Sequence, residues 1–305
     1  IPDIQTACRS CLGSNAASAR QKFLEKYGAD FPYDTYKQEM SARYWKQVET
    51  GKLELKPGVR EMLQFLREQH IPAAIASSTR RAAVRQQMDQ AARETGRTGA
   101  DIILVGASKM NDAAACQEAI AAGIDALGEN RVQEMTAKLA ENAYEGRPLH
   151  FIGHLQRNKV RQVVGKAALI QSVGSTELLQ EIEKAAGRLE LCQDILLEVN
   201  IGGEAAKSGF SPDQIHAAAE MARALPHVQV RGLMTIPPVA AEPHGNLAYF
   251  EKMRWLYVDI NAKIYDNKME YLSMGMSGDF ADAIRCGSNM IRVGTAIFGA
   301  RDYTK

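Results

Sequence analysis

Ile102-Ile-Leu-Val-Gly-Ala-Ser-Lys109 is a short apolar run that stops at a lysine. Its length and aliphatic content fit a buried β-strand, with the lysine at the strand's mouth. A lysine in a partly desolvated pocket has its ammonium disfavoured and its amine made nucleophilic. Attachment to an aldehyde cofactor as a Schiff base requires those properties. A strand-end lysine that only snorkels to water is the plainer alternative, and the rest of the chain decides between the two.

Outward from Lys109, apolar runs alternate with helix-like stretches. The runs are Ile102–Ala107, Ile124–Gly128, Leu149–Gly153, Leu169–Val173, Ile195–Asn200, Val228–Thr235, Tyr271–Met276 and Met290–Phe298. Amphipathic segments such as Asn111–Ala122, Ser211–Leu225 and Asn246–Tyr265 lie between them. This alternation predicts an α/β chain folded as a (β/α)8 TIM-type barrel. An open doubly wound sheet is the alternative, but no G-x-G-x-x-G follows the first strand. In such barrels, chemistry gathers at the C-terminal strand ends. That rule brings Lys109, Glu129-Asn130, His154, Asn200, Thr235, Ser277-Gly278, Arg292, Gly294 and Thr295 to one mouth.

Two of those groups read as a phosphate site. Ser277-Gly278-Asp279 opens the helix after the seventh strand, and Gly294-Thr295 lies at the eighth. Barrels often bind phosphate between these two loops, where a helix N-terminus offers free N–H groups. Alternatively, Ser277 is only an N-cap and Gly294 only a bend. Arg292 would suit the ring nitrogen of a pyridine cofactor, as a donor that stays charged and leaves that nitrogen unprotonated.

Composition bounds the reading. The chain has 305 residues, with Lys+Arg 37 against Asp+Glu 36, 46% hydrophobic and 24% charged. That near neutrality gives no argument for nucleic acid. No apolar run of about 18 residues and no signal peptide is present, so a cytoplasmic protein is expected, with no membrane association. The start at Ile1 rather than Met points to a missing true N-terminus. The five cysteines include one C-x-x-C, Cys8 and Cys11. No second pair or nearby histidine completes a metal site, so no metal is expected.

From about Arg85 to Lys305 the chain resembles the pyridoxal phosphate homeostasis family, which shares the alanine racemase N-terminal barrel. The strings that carry the resemblance are Ala107-Ser-Lys109, Gly128-Glu-Asn-Arg-Val-Gln-Glu134 and His150-Phe-Ile-Gly-His-Leu-Gln-Arg-Asn-Lys-Val160. Val199-Asn-Ile201, Lys207-Ser-Gly-Phe210, Arg231-Gly-Leu-Met-Thr-Ile-Pro237 and Leu272-Ser-Met-Gly-Met-Ser-Gly-Asp-Phe280 follow, and Arg292-Val-Gly-Thr-Ala-Ile-Phe-Gly-Ala-Arg301 closes the barrel. The resemblance implies pyridoxal 5'-phosphate (PLP) as cofactor, held as a Schiff base on Lys109. It implies that Ser277, Gly278, Gly294 and Thr295 hold the phosphate, that Arg292 meets the pyridine nitrogen, and that Asn130 and Met234 also bind the cofactor. Two departures stand out. Lys109-Met-Asn-Asp112 replaces a frequent Lys-Thr-Lys-Pro, and Ser172-Val-Gly174 replaces a frequent Ser-Val-Asp, removing a carboxylate near the mouth.

Residues 1–81 do not fit that family. Helical patterns at Ala16–Tyr27 and Tyr33–Val48 precede Leu55-Lys-Pro-Gly-Val59, a helix to Gln69 and a strand Pro72–Ala76 followed by Ser77. This mostly helical stretch resembles the cap and second-motif region of haloacid-dehalogenase (HAD)-type phosphatases and phosphoglucomutases, where Ser77 would bind phosphate. No Asp-x-Asp nucleophile precedes the cap, so the expected organisation is a non-functional partial HAD-like segment, 1–81, joined to a PLP-binding barrel, 82–305. The segment is expected to pack poorly, and a natural fusion or an assembly artefact would both produce the join.

The expected function is PLP binding in intracellular PLP homeostasis, without turnover of a substrate. PLP-dependent apoenzymes are the expected recipients, and the protein is expected to be a monomer or weak homodimer. The alternative is a PLP-dependent amino-acid racemase. Two-base racemisation draws its second base from a C-terminal β-domain that does not follow Lys305, which favours the homeostasis reading. Phosphatase activity lacks its nucleophile.

Overall fold

The computed structural model describes residues 16–49, 80–204, 207–240 and 242–299, together with Asp3, Thr6, Cys8, Ser10 and Gln64. The chain divides into two compact units, Ile1–Ile75 and Ala76–Lys305.

In the first unit, helices α1 (Ala16–Tyr27) and α2 (Tyr33–Glu49) form where the sequence pattern placed them. Their described core is a small aromatic cluster in which Phe23 and Tyr33 are buried against Tyr27, Phe31 and Tyr36. The expected strand Pro72–Ala76 and Ser77 lie outside the described residues, as does the helix to Gln69 apart from Gln64.

The second unit opens with α3 (Arg80–Arg93), whose Val84, Met88, Ala91 and Ala92 are buried in the barrel's outer core. Eight parallel strands then close into a barrel in chain order. They are β1 (Ile103–Ala107), β2 (Ala126–Glu129), β3 (Leu149–Phe151), β4 (Leu169–Val173), β5 (Gln193–Val199), β6 (Val228–Thr235), β7 (Tyr271–Ser273) and β8 (Met290–Val293). Helices α4 (Ala113–Ala121), α5 (Val132–Ala140), α6 (Thr176–Arg188), α7 (Ile215–Arg223), α8 (Leu247–Lys263), α9 (Phe280–Arg285) and α10 (Thr295–Phe298) follow strands one, two and four to eight. A 3-10 turn at Arg157–Gln162 serves after β3. The open doubly wound alternative is excluded, because β1 pairs with β8.

Period-two alternation builds the barrel. Val105, Ala126, Leu169, Leu196, Met234 and Met290 pack together as its inner core. Their neighbours Leu104, Leu127, Ile170, Leu197, Leu233 and Ile291 face the helices instead. One expected run is split: Met290–Phe298 is strand only to Val293, and Thr295–Phe298 is the short α10. Gly294 stands between them as the cap of α10.

Candidate cofactor site at the barrel mouth

The closure of the barrel sets the geometry. In the β1–β8 ladder, Val105 pairs with Arg292 and Gly106 with Val293. Continuing one step puts Gly294 beside Ala107, and a Cβ on Gly294 would lie 3.5 Å from the Ala107 carbonyl oxygen. Lys109, half-buried, follows two residues beyond β1. The lysine and the Gly294-Thr295 loop are therefore neighbours at the C-terminal face, although 185 positions separate Lys109 from Gly294.

Ser277 belongs to the same face. The cap of α9 is Asp279 rather than Ser277. Asp279 Oδ1 accepts from the Met276 backbone N–H at 2.7 Å, and Oδ2 accepts from Asn246 Nδ2 at 2.8 Å, which fixes the loop. Ser277 Oγ instead reaches across to the next loop, accepting from the N–H of Gly294 at 3.3 Å and of Ala296 at 3.4 Å. The reading of Ser277 as a simple N-cap is thus overturned. Gly278 has nothing within 4 Å of where a Cβ would stand, so the loop leaves open space beside exposed backbone.

Arg292 is 3% exposed on the inner face of β8. Its Nη1 donates to Ser273 Oγ at 2.5 Å, and its Nη2 donates to the Thr235 carbonyl at 2.8 Å. Burial pushes its pKa down to about 10, offset in part by Glu198, so the guanidinium stays charged at neutral pH. Ser273 Oγ donates onward to Gln171 Oε1 at 2.7 Å, and Gln171 Nε2 lies 2.9 Å from His150 Nδ1. Burial drives His150 down to about 4, leaving a neutral ring able to accept from the amide. A single donor chain, from Arg292 through Ser273 and Gln171 to His150, therefore runs inside the barrel. Met234 is fully buried in the inner core beside it, paired with Ser273 in the β6–β7 ladder.

Asn130 follows β2, and its Oδ1 is buried with no hydrogen-bond partner among the described residues. Gly153 lets that loop settle, since a Cβ there would fall 2.2 Å from the Asn130 carbonyl oxygen. Glu198 on β5 also has a buried Oε2 with no hydrogen-bond partner among the described residues. Burial raises its pKa to about 7, against the pull of Arg292. Glu198 answers the departure at position 174: a Cβ on Gly174 would lie 3.1 Å from Glu198 Oε2 and 2.7 Å from the Gly209 nitrogen. The mouth thus retains a carboxyl group, supplied from β5.

Other residues sorted to the mouth serve elsewhere. Glu129 is fully buried on the helix side of β2, accepting from Lys138 Nζ at 2.6 Å and Ser108 Oγ at 2.5 Å. Asn200 braces its own loop, donating to the Glu204 carbonyl at 2.8 Å. Thr235 Oγ1 donates to the Val199 carbonyl at 2.7 Å. His154 is exposed, with Nδ1 2.9 Å from Ser208 Oγ. Gln171, Ser273, His150 and Glu198 were missed in the sequence. Their signal was a polar residue inside a mainly apolar run.

The residues present fit a phosphorylated pyridine aldehyde. Open space stands beside the exposed backbone of Gly278, a buried cation stands on the inner wall, and Asn130 Oδ1 and Glu198 Oε2 are buried without hydrogen-bond partners among the described residues.

Fold and mouth define a class, the alanine racemase N-terminal domain, whose family model matches residues 80–302. The pyridoxal phosphate homeostasis protein of Aquifex aeolicus is 40% identical over 220 residues, spanning 72% of this chain and 96% of that protein. The structure of PipY from Synechococcus elongatus, solved with PLP bound, superposes with a TM-score of 0.61 at 33% identity, covering 70% of this chain and all of that one. The chain belongs to the pyridoxal phosphate homeostasis protein family. Alanine racemase from Clostridium difficile shares the fold at 17% identity and a TM-score of 0.56, with only 55% of its chain covered. A haloacid dehalogenase-like hydrolase model matches residues 4–95, in line with the resemblance read for the first stretch. The two matches overlap on α3.

Proposed function

We propose that this protein binds PLP at the barrel mouth, covalently on Lys109, and serves intracellular PLP homeostasis as a carrier rather than a catalyst. The observation that carries this reading is the β1–β8 closure, which sets Lys109 beside the Gly294-Thr295 loop and above the buried Arg292. Bound PLP supplies an aldehyde with which a primary amine condenses. The chain's own residues do the rest. Ser277 and Thr295 hydroxyls and the Gly278 and Gly294 backbone hold the phosphate, and Arg292 donates toward the pyridine nitrogen. Asn130 and Met234 frame the ring from β2 and β6. Identity supports a homeostasis role over racemisation, since the chain is 40% identical to the Aquifex protein, whereas the racemase at 17% shares the fold alone. The proposed recipients are PLP-dependent apoenzymes in the cytoplasm, met by a monomer or weak homodimer. No described helix is long and apolar enough to cross a membrane.

Ser277→Ala and Thr295→Ala test the phosphate grip. Each loses one hydrogen bond to a charged group, worth about 1.5–3 kcal/mol, so PLP affinity should fall roughly ten- to hundredfold. Fluorescence titration measures this, and unchanged affinity in the double variant would contradict the placement.

We further propose that residues 1–81 contribute nothing to cofactor binding. A truncated chain starting at Ala82 keeps Val84, Met88, Ala91 and Ala92, which seal the barrel. It should bind PLP with the affinity of the full chain by the same titration. Lost binding in a folded truncated chain would assign the first stretch a part in the site.

A further inference from the structure

The segment from Gly128 to Lys138 does more than deliver Asn130. Both residues that flank Lys109 are gripped by side chains from it. On one side, Lys138 Nζ donates to the Ser108 carbonyl at 2.8 Å and to Glu129 Oε1 at 2.6 Å. Glu129 Oε1 also accepts from Ser108 Oγ at 2.5 Å and from Tyr144 Oη at 3.2 Å. Glu129 is fully buried and Lys138 is 6% exposed, so water does not compete for these bonds. On the other side, Glu134 Oε2 accepts from the Met110 backbone N–H at 2.8 Å.

The second grip holds a conformation that the chain would not choose. The Asn111 N–H donates to the Ser108 carbonyl at 3.1 Å, closing a turn with Lys109 and Met110 at its centre. Met110 has φ 62°, the left-handed region that favours glycine at such a position. Met110 is exposed, so side-chain packing does not impose this shape. The Glu134 carboxylate, bonded to the Met110 amide, does. Ser108 turns its hydroxyl to Glu129 in the helix layer, and Lys109 takes the first central position of the turn that follows.

We propose that Glu134, with the buried Glu129–Lys138 pair, acts as a set of positioning residues that fix the main chain on both sides of Lys109 and so aim its amine at the cofactor aldehyde. The inference rests on the reading that PLP attaches to Lys109. Attachment forms a C=N bond between Lys109 Nζ and the aldehyde carbon, and the aldehyde oxygen leaves as water with the two amine protons. None of the three residues touches the reacting atoms. Their effect is on where the amine stands, and a small misplacement of a reacting group costs up to about a hundredfold in rate.

Glu134→Ala in the full chain tests this, because Glu134 lies outside the buried pair and its loss leaves the core intact. Two probes separate aim from fold: PLP, and pyridoxine 5'-phosphate, which carries an alcohol in place of the aldehyde. Covalent attachment of PLP, followed by absorbance and by borohydride trapping, should slow roughly ten- to hundredfold. Affinity for pyridoxine 5'-phosphate should stay within about twofold. Glu134→Gln keeps an oxygen for the Met110 N–H and should attach PLP at close to the wild-type rate. Glu134→Ala with Met110→Gly should regain much of the rate, since glycine adopts positive φ unaided. Attachment by Glu134→Ala at the wild-type rate would overturn the proposal, as would equal weakening of both probes. A wild-type protein that binds PLP without attaching it to Lys109 would overturn the underlying reading itself, before any variant is compared.

Discussion

Lys138→Met should destabilise the barrel by about 3–5 kcal/mol, because it strips the partner from a carboxylate that has no access to water. Glu129 is fully buried, and only Lys138 among its bonded neighbours brings positive charge. For a domain of this size that loss lowers the thermal midpoint by on the order of 10 °C, measurable by circular dichroism. Glu129→Gln combined with Lys138→Met should recover most of it, since the charge is gone and the amide oxygen can still accept from Ser108 and Tyr144. The surface pair Arg93–Asp89 has the same 2.6 Å separation, with its side chains 74% and 36% exposed. Arg93→Ala should therefore change stability by no more than about 0.5 kcal/mol. Burial, not distance, decides between the two. A midpoint for Lys138→Met within a degree or two of wild type would show that the buried Glu129–Lys138 pair does not brace the core.

Lys109→Ala is the substitution with the largest expected effect on the cofactor. It should abolish covalent attachment outright while leaving weak, reversible binding through Ser277, Thr295 and the Gly278 and Gly294 backbone. Titration followed by borohydride reduction and intact mass separates the two, as bound PLP would wash away and no pyridoxyl mass would remain. Fold should be unaffected, since Lys109 lies beyond the end of β1 and outside both barrel core clusters. Retention of full pyridoxyl mass in this variant would move the attachment to another lysine.

The barrel was legible because its strands are short apolar runs spaced by helix-like stretches. Runs such as Leu169–Val173 and Val228–Thr235 coincide with β4 and β6, and the closure follows once eight such units are counted. Helix boundaries were less so. Ser211–Leu225 shrinks to Ile215–Arg223, because Ser211 is spent on a preceding turn, accepting from the Gln214 N–H through Oγ. The phosphate loops were readable from glycine and hydroxyl residues at strand ends, yet Ser277's bond to Gly294 depends on two loops meeting, which no local pattern records. The inner network was hidden for a different reason. Gln171 and Glu198 each sit among apolar residues of a buried strand, and only the closed barrel reveals that Gln171 meets His150 and Ser273 there. Glu129 shows the opposite failure: it stands at a strand end, as a mouth residue would, but alternation turns it to the helix layer to meet Lys138. The segment 1–81 offered pattern without closure, and its strand lies outside the described residues.

The central claim is that Lys109 is the point of PLP attachment, and peptide mapping of the full-length protein tests it most directly. After incubation with PLP, reduction with borohydride and proteolysis, pyridoxyl mass should appear on the peptide that contains Lys109. Pyridoxyl mass on another lysine, with the Lys109 peptide unmodified, would contradict the account.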